Sequence, residues 1–202
     1  VMRCAKAGPA LVAALGDRSL DVRLPAAWSL GRLGQVETLD RIIESLAGDS
    51  RLAALRVPDI ILELGSRTVP VLKKLLATPQ PQVRKLAVEL LGSLGEKSAT
   101  GPLIGLLRSG EPELRIAACA ALGRIGGEGS AREVARCLDD PDWAVRAKAA
   151  WIVGQLRLIP AIAQLKRSLR DKAWWVRFNA GEALAKLGDP GRGALTDCLL
   201  DE

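Results

Sequence analysis

The residues able to do chemistry in this 202-residue chain are few, and their spacing argues against most reactions. There is no histidine, and the four cysteines (Cys4, Cys119, Cys137 and Cys198) form no Cys-x-x-Cys pair. Common zinc sites draw closely spaced Cys and His ligands, so no metal site is expected. Cys119 and Cys137 stand among apolar helical neighbours, where a thiol behaves as a small hydrophobe. No nucleophile–base pair is visible, and no carboxylate pair has a catalytic rationale. Gly126-Gly127-Glu128-Gly129 is a poor phosphate loop, because a connector between helices explains it. The expectation is a protein with no catalytic residues and no cofactor. Its remaining chemistry is recognition, carried by five Trp in a chain with no Tyr and one Phe.

The elements that position these residues follow from a repeat. An aliphatic residue and Arg precede small residues and then Leu-Gly-x-Leu-Gly or a close variant. The arginines are Arg23, Arg84, Arg115, Arg146 and Arg177, separated by 61, 31, 31 and 31 residues. The long gap is two periods less one residue, with a degenerate copy ending Leu64-Gly65 and Ala54 in the Arg place. Repeats are therefore expected over about 2–34, 35–65, 66–95, 96–126, 127–157 and 158–188, with a partial one over 189–202.

Each repeat reads as two helices, the first opened by a proline such as Pro102 or Pro160. In the second, counting from Arg, the places −1, +3, +7 and +10 form an apolar stripe; in the fourth repeat they are Leu114, Ala118, Leu122 and Ile125. Gly at +8 admits a neighbouring helix, and Gly at +11 suits a left-handed helix end. One such hairpin cannot bury its stripe alone, but stacking on its neighbours does. The expected fold is all-α: one domain over 1–202, an α-solenoid of six helix-pair repeats plus a final helix, about 13 helices in a right-handed superhelix.

The pattern Asp-x5-Arg, Ala-Ala, Leu-Gly-x-Leu-Gly resembles the HEAT repeat, in the short bacterial form named after phycobilin lyases. The resemblance implies that the second helices line a concave face and that the Asp and Arg are structural. Asp17, Asp140 and Asp171 stand six residues before Arg23, Arg146 and Arg177. Similar ladders tie one repeat's turn to its neighbour; a row of arginines for phosphate is the functional alternative. Thr78 and Ser109 replace Asp in the third and fourth repeats, and Gly48 in the second.

On a concave face the outward places are +1, +2, +5 and +9. Place +5 holds Trp28, Asp59, Glu89, Ala120, Trp151 and Glu182. Place +9 holds Arg32, Glu63, Ser93, Arg124, Gln155 and Lys186, and place +1 holds Leu24, Leu55, Lys85, Ile116, Ala147 and Phe178. Four of the five tryptophans fall in the last two complete repeats: Trp143, Trp151, Trp174 and Trp175. Trp143 and Trp174 share place −3 and read as caps over the gap between turns. Trp28, Arg124, Trp151, Gln155, Trp175, Phe178 and Lys186 are the candidate partner-binding residues.

Net charge is +6 with a sequence pI near 9.5, which permits an acidic partner without demanding one. A protein or peptide partner is expected. A nucleic acid is the second choice, after the HEAT-like DNA glycosylases, because Asp59, Glu63, Glu89 and Glu182 interrupt any basic stripe. A tetrapyrrole is the third, from the lyase resemblance. Relatives of deoxyhypusine hydroxylase are set aside, since that enzyme binds iron through His-Glu pairs. A monomer in the cytoplasm is expected. No apolar run approaches 18 residues and no signal peptide is visible. The chain begins Val1-Met2 and stops at Glu202 inside a helix-like segment, as a piece of a longer protein would.

Overall fold

A computed structural model describes residues 8–14, 17–33, 61–62 and 65–200. The second expected repeat, with Gly48, Ala54, Leu55, Asp59 and Glu63, lies almost wholly outside the described residues, as do Cys4 and Glu202. Among the described residues every regular element is helical. No helix among them is long and apolar enough to cross a membrane. The chain divides into compact units over 1–96 and 97–202.

In the first unit, α1 (Gly8–Ala14) packs against α2 (Leu20–Arg32). A 3-10 turn at Gly65–Thr68 leads into α3 (Val69–Leu75), which packs on α4 (Pro81–Ser93). Pro81 opens α4 where its missing N–H costs no helical bond. Val83, Ala87 and Leu91 are buried as the stripe requires. Val22 is the exception: it holds the −1 place in α2 yet is 40% exposed.

The second unit comprises α5 (Thr100–Leu106), α6 (Pro112–Ile125), α7 (Glu128–Arg136), α8 (Trp143–Gln155), α9 (Ile162–Ser168), α10 (Trp174–Lys186) and α11 (Asp189–Leu200). The hairpins stack in sequence order. Second helices α6, α8 and α10 pack side by side, while α5 and α7 cover α6, α9 covers α10, and α11 packs on both α9 and α10. Leu114, Ala118, Leu122, Val145, Ala149, Val153, Val176, Ala180 and Leu184 are all buried. A shared seam results, in which each leucine side chain removed from water contributes about 1.5–3 kcal/mol. The helix openings differ from the expectation. Pro102 lies inside the first turn of α5, and Pro160 sits in a 3-10 turn, Ile159–Ala161, ahead of α9. Both positions tolerate a residue without an N–H.

The second helices end at place +11 in the left-handed region: Gly95, Gly126 and Gly188 have φ of 64°, 71° and 72°. Arg157 occupies that place after α8 with φ 50°, the one positive φ outside glycine among the described residues. A side chain there costs about 1 kcal/mol against glycine. Arg157→Gly should therefore raise the urea midpoint by the equivalent of about 0.5–1 kcal/mol; an unchanged or lower midpoint would contradict this.

Candidate functional site

Two arrangements of polar and aromatic side chains stand out in the second unit. The first is a ladder of ion pairs between consecutive repeats. Arg115 donates from Nε and Nη2 to the two carboxylate oxygens of Asp140, at 2.9 and 2.8 Å. Arg146 does the same to Asp171, at 2.7 and 2.9 Å. The third nitrogen, Nη1, donates within the repeat, from Arg115 to the Ser109 carbonyl and from Arg146 to the Asp140 carbonyl, both at 2.8 Å. Arg177 reaches the Asp171 carbonyl in the same way, and Arg23 the Asp17 carbonyl. Each Asp also accepts from the backbone N–H two residues on, Asp140 from Asp142 and Asp171 from Ala173. Asp17 accepts likewise from Ser19.

The spacing of six thus joins Arg to the backbone of its own turn, while the charge partner of Arg115 or Arg146 lies 25 residues ahead. The hydrogen bond to Arg146, outweighing desolvation, holds the Asp171 carboxyl below its usual range. The same pairing raises both guanidinium groups above their ordinary value. Arg115 and Arg146 are thereby spent on neighbouring turns.

The second arrangement is an aromatic groove on the inner helices. Ile116 of α6, Trp143, Lys148 and Trp151 of α8, and Trp175 and Asn179 of α10 line a cavity of about 400 Å³. Helical spacing produces it, since Ala144, Ala147, Lys148 and Trp151 share one face of α8. Asn179 donates from Nδ2 to the Ala147 carbonyl at 3.0 Å and ties α10 to α8 beneath the groove. Trp151 is 43% exposed and Trp175 54%, so large apolar surface is left for a partner to cover. Phe178 and Trp174 stack at 5.2 Å with 16° between planes, and Trp175 meets both edge-on.

Lys148 lies over the Trp151 ring, its Nζ 4.4 Å from the centroid. It is the one ionised side chain lining the groove. A second cation brought within about 5 Å of it would meet roughly 3 kcal/mol of repulsion at an effective dielectric of about 20. That exceeds the roughly 0.5–2 kcal/mol a cation gains from an indole face.

Two thiols of this unit are withdrawn from solvent. Cys119 and Cys137 are buried, and the Cys137 hydrogen bond together with burial pushes the Cys119 thiol well above its ordinary value. It therefore stays protonated.

Comparison with known families bears on this geometry. The family described as HEAT repeats matches residues 69–141 and 131–202, and the PBS lyase HEAT-like repeat matches 22–48. The chain belongs to the HEAT-repeat family. Among curated proteins no match is found. Solved structures with similar folds include an engineered protein at 21% identity and TM-score 0.55, covering 93% of this chain and 60% of that one. The chain therefore spans less than two thirds of that protein's length. The complex of CpcE and CpcF of phycocyanin lyase from Nostoc sp. PCC7120 is 21% identical with TM-score 0.65, covering 75% of this chain and 98% of that one. A designed armadillo repeat protein in complex with the peptide (KR)4 is 19% identical with TM-score 0.53, covering 89% and 99%. At these identities the likeness is one of fold.

Within the HEAT array, the structure gathers some of the expected binding residues and separates others. Trp151 and Trp175 line the groove, and Phe178 joins Trp175 through ring contacts. Gln155 and Lys186 stand at equivalent +9 places and meet, Lys186 Nζ lying 3.4 Å from Gln155 Oε1. Arg124 is exposed at the +9 place of α6. Trp28 belongs to the first unit, where it is 37% exposed. Trp143 and Trp174, read from sequence as caps between turns, are 49% and 54% exposed. Trp143 also lines the groove. Lys148, Asn179 and Ile116 were legible as places +2, +2 and +1, but nothing in their spacing set them apart from other inner-face residues.

Proposed function

We propose that this HEAT array acts by binding, and that a protein partner lays a segment along the inner helices of residues 97–202. The observation that supports this is the open groove of Trp143, Trp151 and Trp175 on α8 and α10. Half-exposed tryptophans around a concavity have the composition and shape of interaction hot spots. The ring contacts of Trp175 with Trp174 and Phe178, and the Asn179 tie between α10 and α8, hold part of this surface ready before a partner arrives, which lowers the ordering cost of association.

Affinity capture from the source organism, with wild-type chain and with Trp151→Ala and Trp175→Ala, tests the reading. Each substitution should weaken retention of the specific partner by about tenfold or more. Both side chains are about half exposed, so the helical circular dichroism and the melting temperature should stay close to wild type. Undiminished capture by the double variant would remove the site.

A further inference from the structure

We propose that the segment held in the tryptophan groove is an acidic, extended peptide that inserts an apolar side chain between Trp151 and Trp175 and sets a carboxylate against Lys148. The proposal deepens the reading above and rests on it.

The sign of the partner's charge follows from the charges on this face. Lys148 lines the cavity, and no carboxylate does. An aromatic groove would ordinarily suit a cation, but Lys148 already covers the Trp151 face, and like-charge repulsion there outweighs what the ring offers a newcomer. On the flanks stand Arg124 and Lys186, together with two acids, Glu182 four residues before Lys186 on α10 and the exposed Glu113 three residues before Ile116 on α6. A further carboxylate, Asp142, caps α8 at its start, accepting from the Ala144 N–H at 2.8 Å. An incoming carboxylate therefore meets Lys148 as the charge inside the groove, while the flanks carry acids as well as cations. The apolar part of the ligand follows from the remaining lining: indole rings with Ile116, Ala144 and Ala147 between them. Single-stranded nucleic acid also combines negative charge with flat apolar groups. It would require a cationic track along its backbone, and Glu182 breaks that track.

The test uses the full chain and four labelled probes in fluorescence polarisation. The probes are a short peptide alternating glutamate with phenylalanine, its lysine–phenylalanine and glutamate–alanine counterparts, and oligothymidylate. The glutamate–phenylalanine peptide should bind tightest, and each peptide exchange should weaken binding by about tenfold. Lys148→Gln should erase the preference between glutamate and lysine, and Lys148→Glu should invert it.

A tighter lysine peptide, a tighter oligonucleotide, no binding of the glutamate–phenylalanine peptide, or a preference untouched by Lys148→Glu would each overturn the proposal. If such a failure accompanied loss of partner capture in Trp151→Ala, the groove would stand as the binding site while the acidic ligand class would fall.

Discussion

Asp171→Ala is expected to cost about 2–3 kcal/mol, read as a lower urea midpoint, because it strands the Arg146 guanidinium. The pair is largely withdrawn from solvent, with side-chain exposures of 19% for Arg146 and 12% for Asp171. Two charge-assisted hydrogen bonds disappear together, along with the acceptor that holds the Ala173 N–H in the turn before α10. A control lies close by. Arg167 and Asp139 also bridge two repeats, at 3.3 Å, but each is 62% exposed. Asp139→Ala should change stability by no more than about 0.5 kcal/mol. Equal losses at the two sites would show that the ladder adds nothing beyond a surface pair.

The same rung gives a pH dependence of definite sign. Asp171 has a lower pKa folded than unfolded, chiefly through its Arg146 hydrogen bond. A depressed carboxyl contributes its stabilisation above the unfolded value, about pH 4, and loses it as pH falls through the lower folded value. The difference between wild type and Asp171→Asn should therefore be full near neutrality and shrink below about pH 4. A difference that stayed constant into acid would mean that the carboxylate charge is not what stabilises the rung. Asp171→Asn keeps one oxygen acceptor for Ala173, so its loss at neutral pH should be smaller than that of Asp171→Ala.

How much of this was legible from residues alone depends on whether the contact is local. The stripe at −1, +3, +7 and +10 is a property of one helix, and Leu114, Ala118, Leu122 and Ile125 are buried together. Helix ends are local too, and Gly95, Gly126 and Gly188 take the positive φ that their place demanded. The ladder is not local. The resemblance implies a ladder between neighbouring turns, but the spacing of six does not say that the carboxylate serves the preceding repeat's arginine. For that reason Arg115 went unrecognised: Ser109 fills the Asp place in its own repeat, while its charge partner is Asp140 of the next. The groove is less local still. It takes Ile116, Trp151 and Trp175 from three helices, and only the stacking of α6, α8 and α10 shows that Trp143 lines the same cavity.

Gly154→Ala should lower stability by about 2 kcal/mol even though alanine is the better helix former. The propensity gain in a helix interior is about 1 kcal/mol. Against it, a Cβ on Gly154 would lie 2.7 Å from the Cα of Ala183 and 2.9 Å from its Cβ. The nearer atom is backbone, so no rotamer change relieves the clash and α8 and α10 must separate, at an overpacking cost of up to about 3 kcal/mol. Gly123→Ala provides the contrast. Its Cβ would meet Cγ2 of Ile152 at 2.6 Å, a side-chain atom. Trimming Ile152 to alanine should therefore absorb the added methyl at Gly123, giving strong favourable coupling in a double-mutant cycle. Ala183→Gly should rescue Gly154→Ala only weakly, because the Cα remains. Full rescue would place the restriction in the methyl group alone. The consequence reaches the binding surface, since α8 carries Trp151 and α10 carries Trp175 on either side of the groove. Forcing the two helices apart should weaken partner capture by Gly154→Ala although residue 154 is buried and does not line the cavity. Capture that persisted at full strength would mean the partner does not depend on the spacing of those two rings.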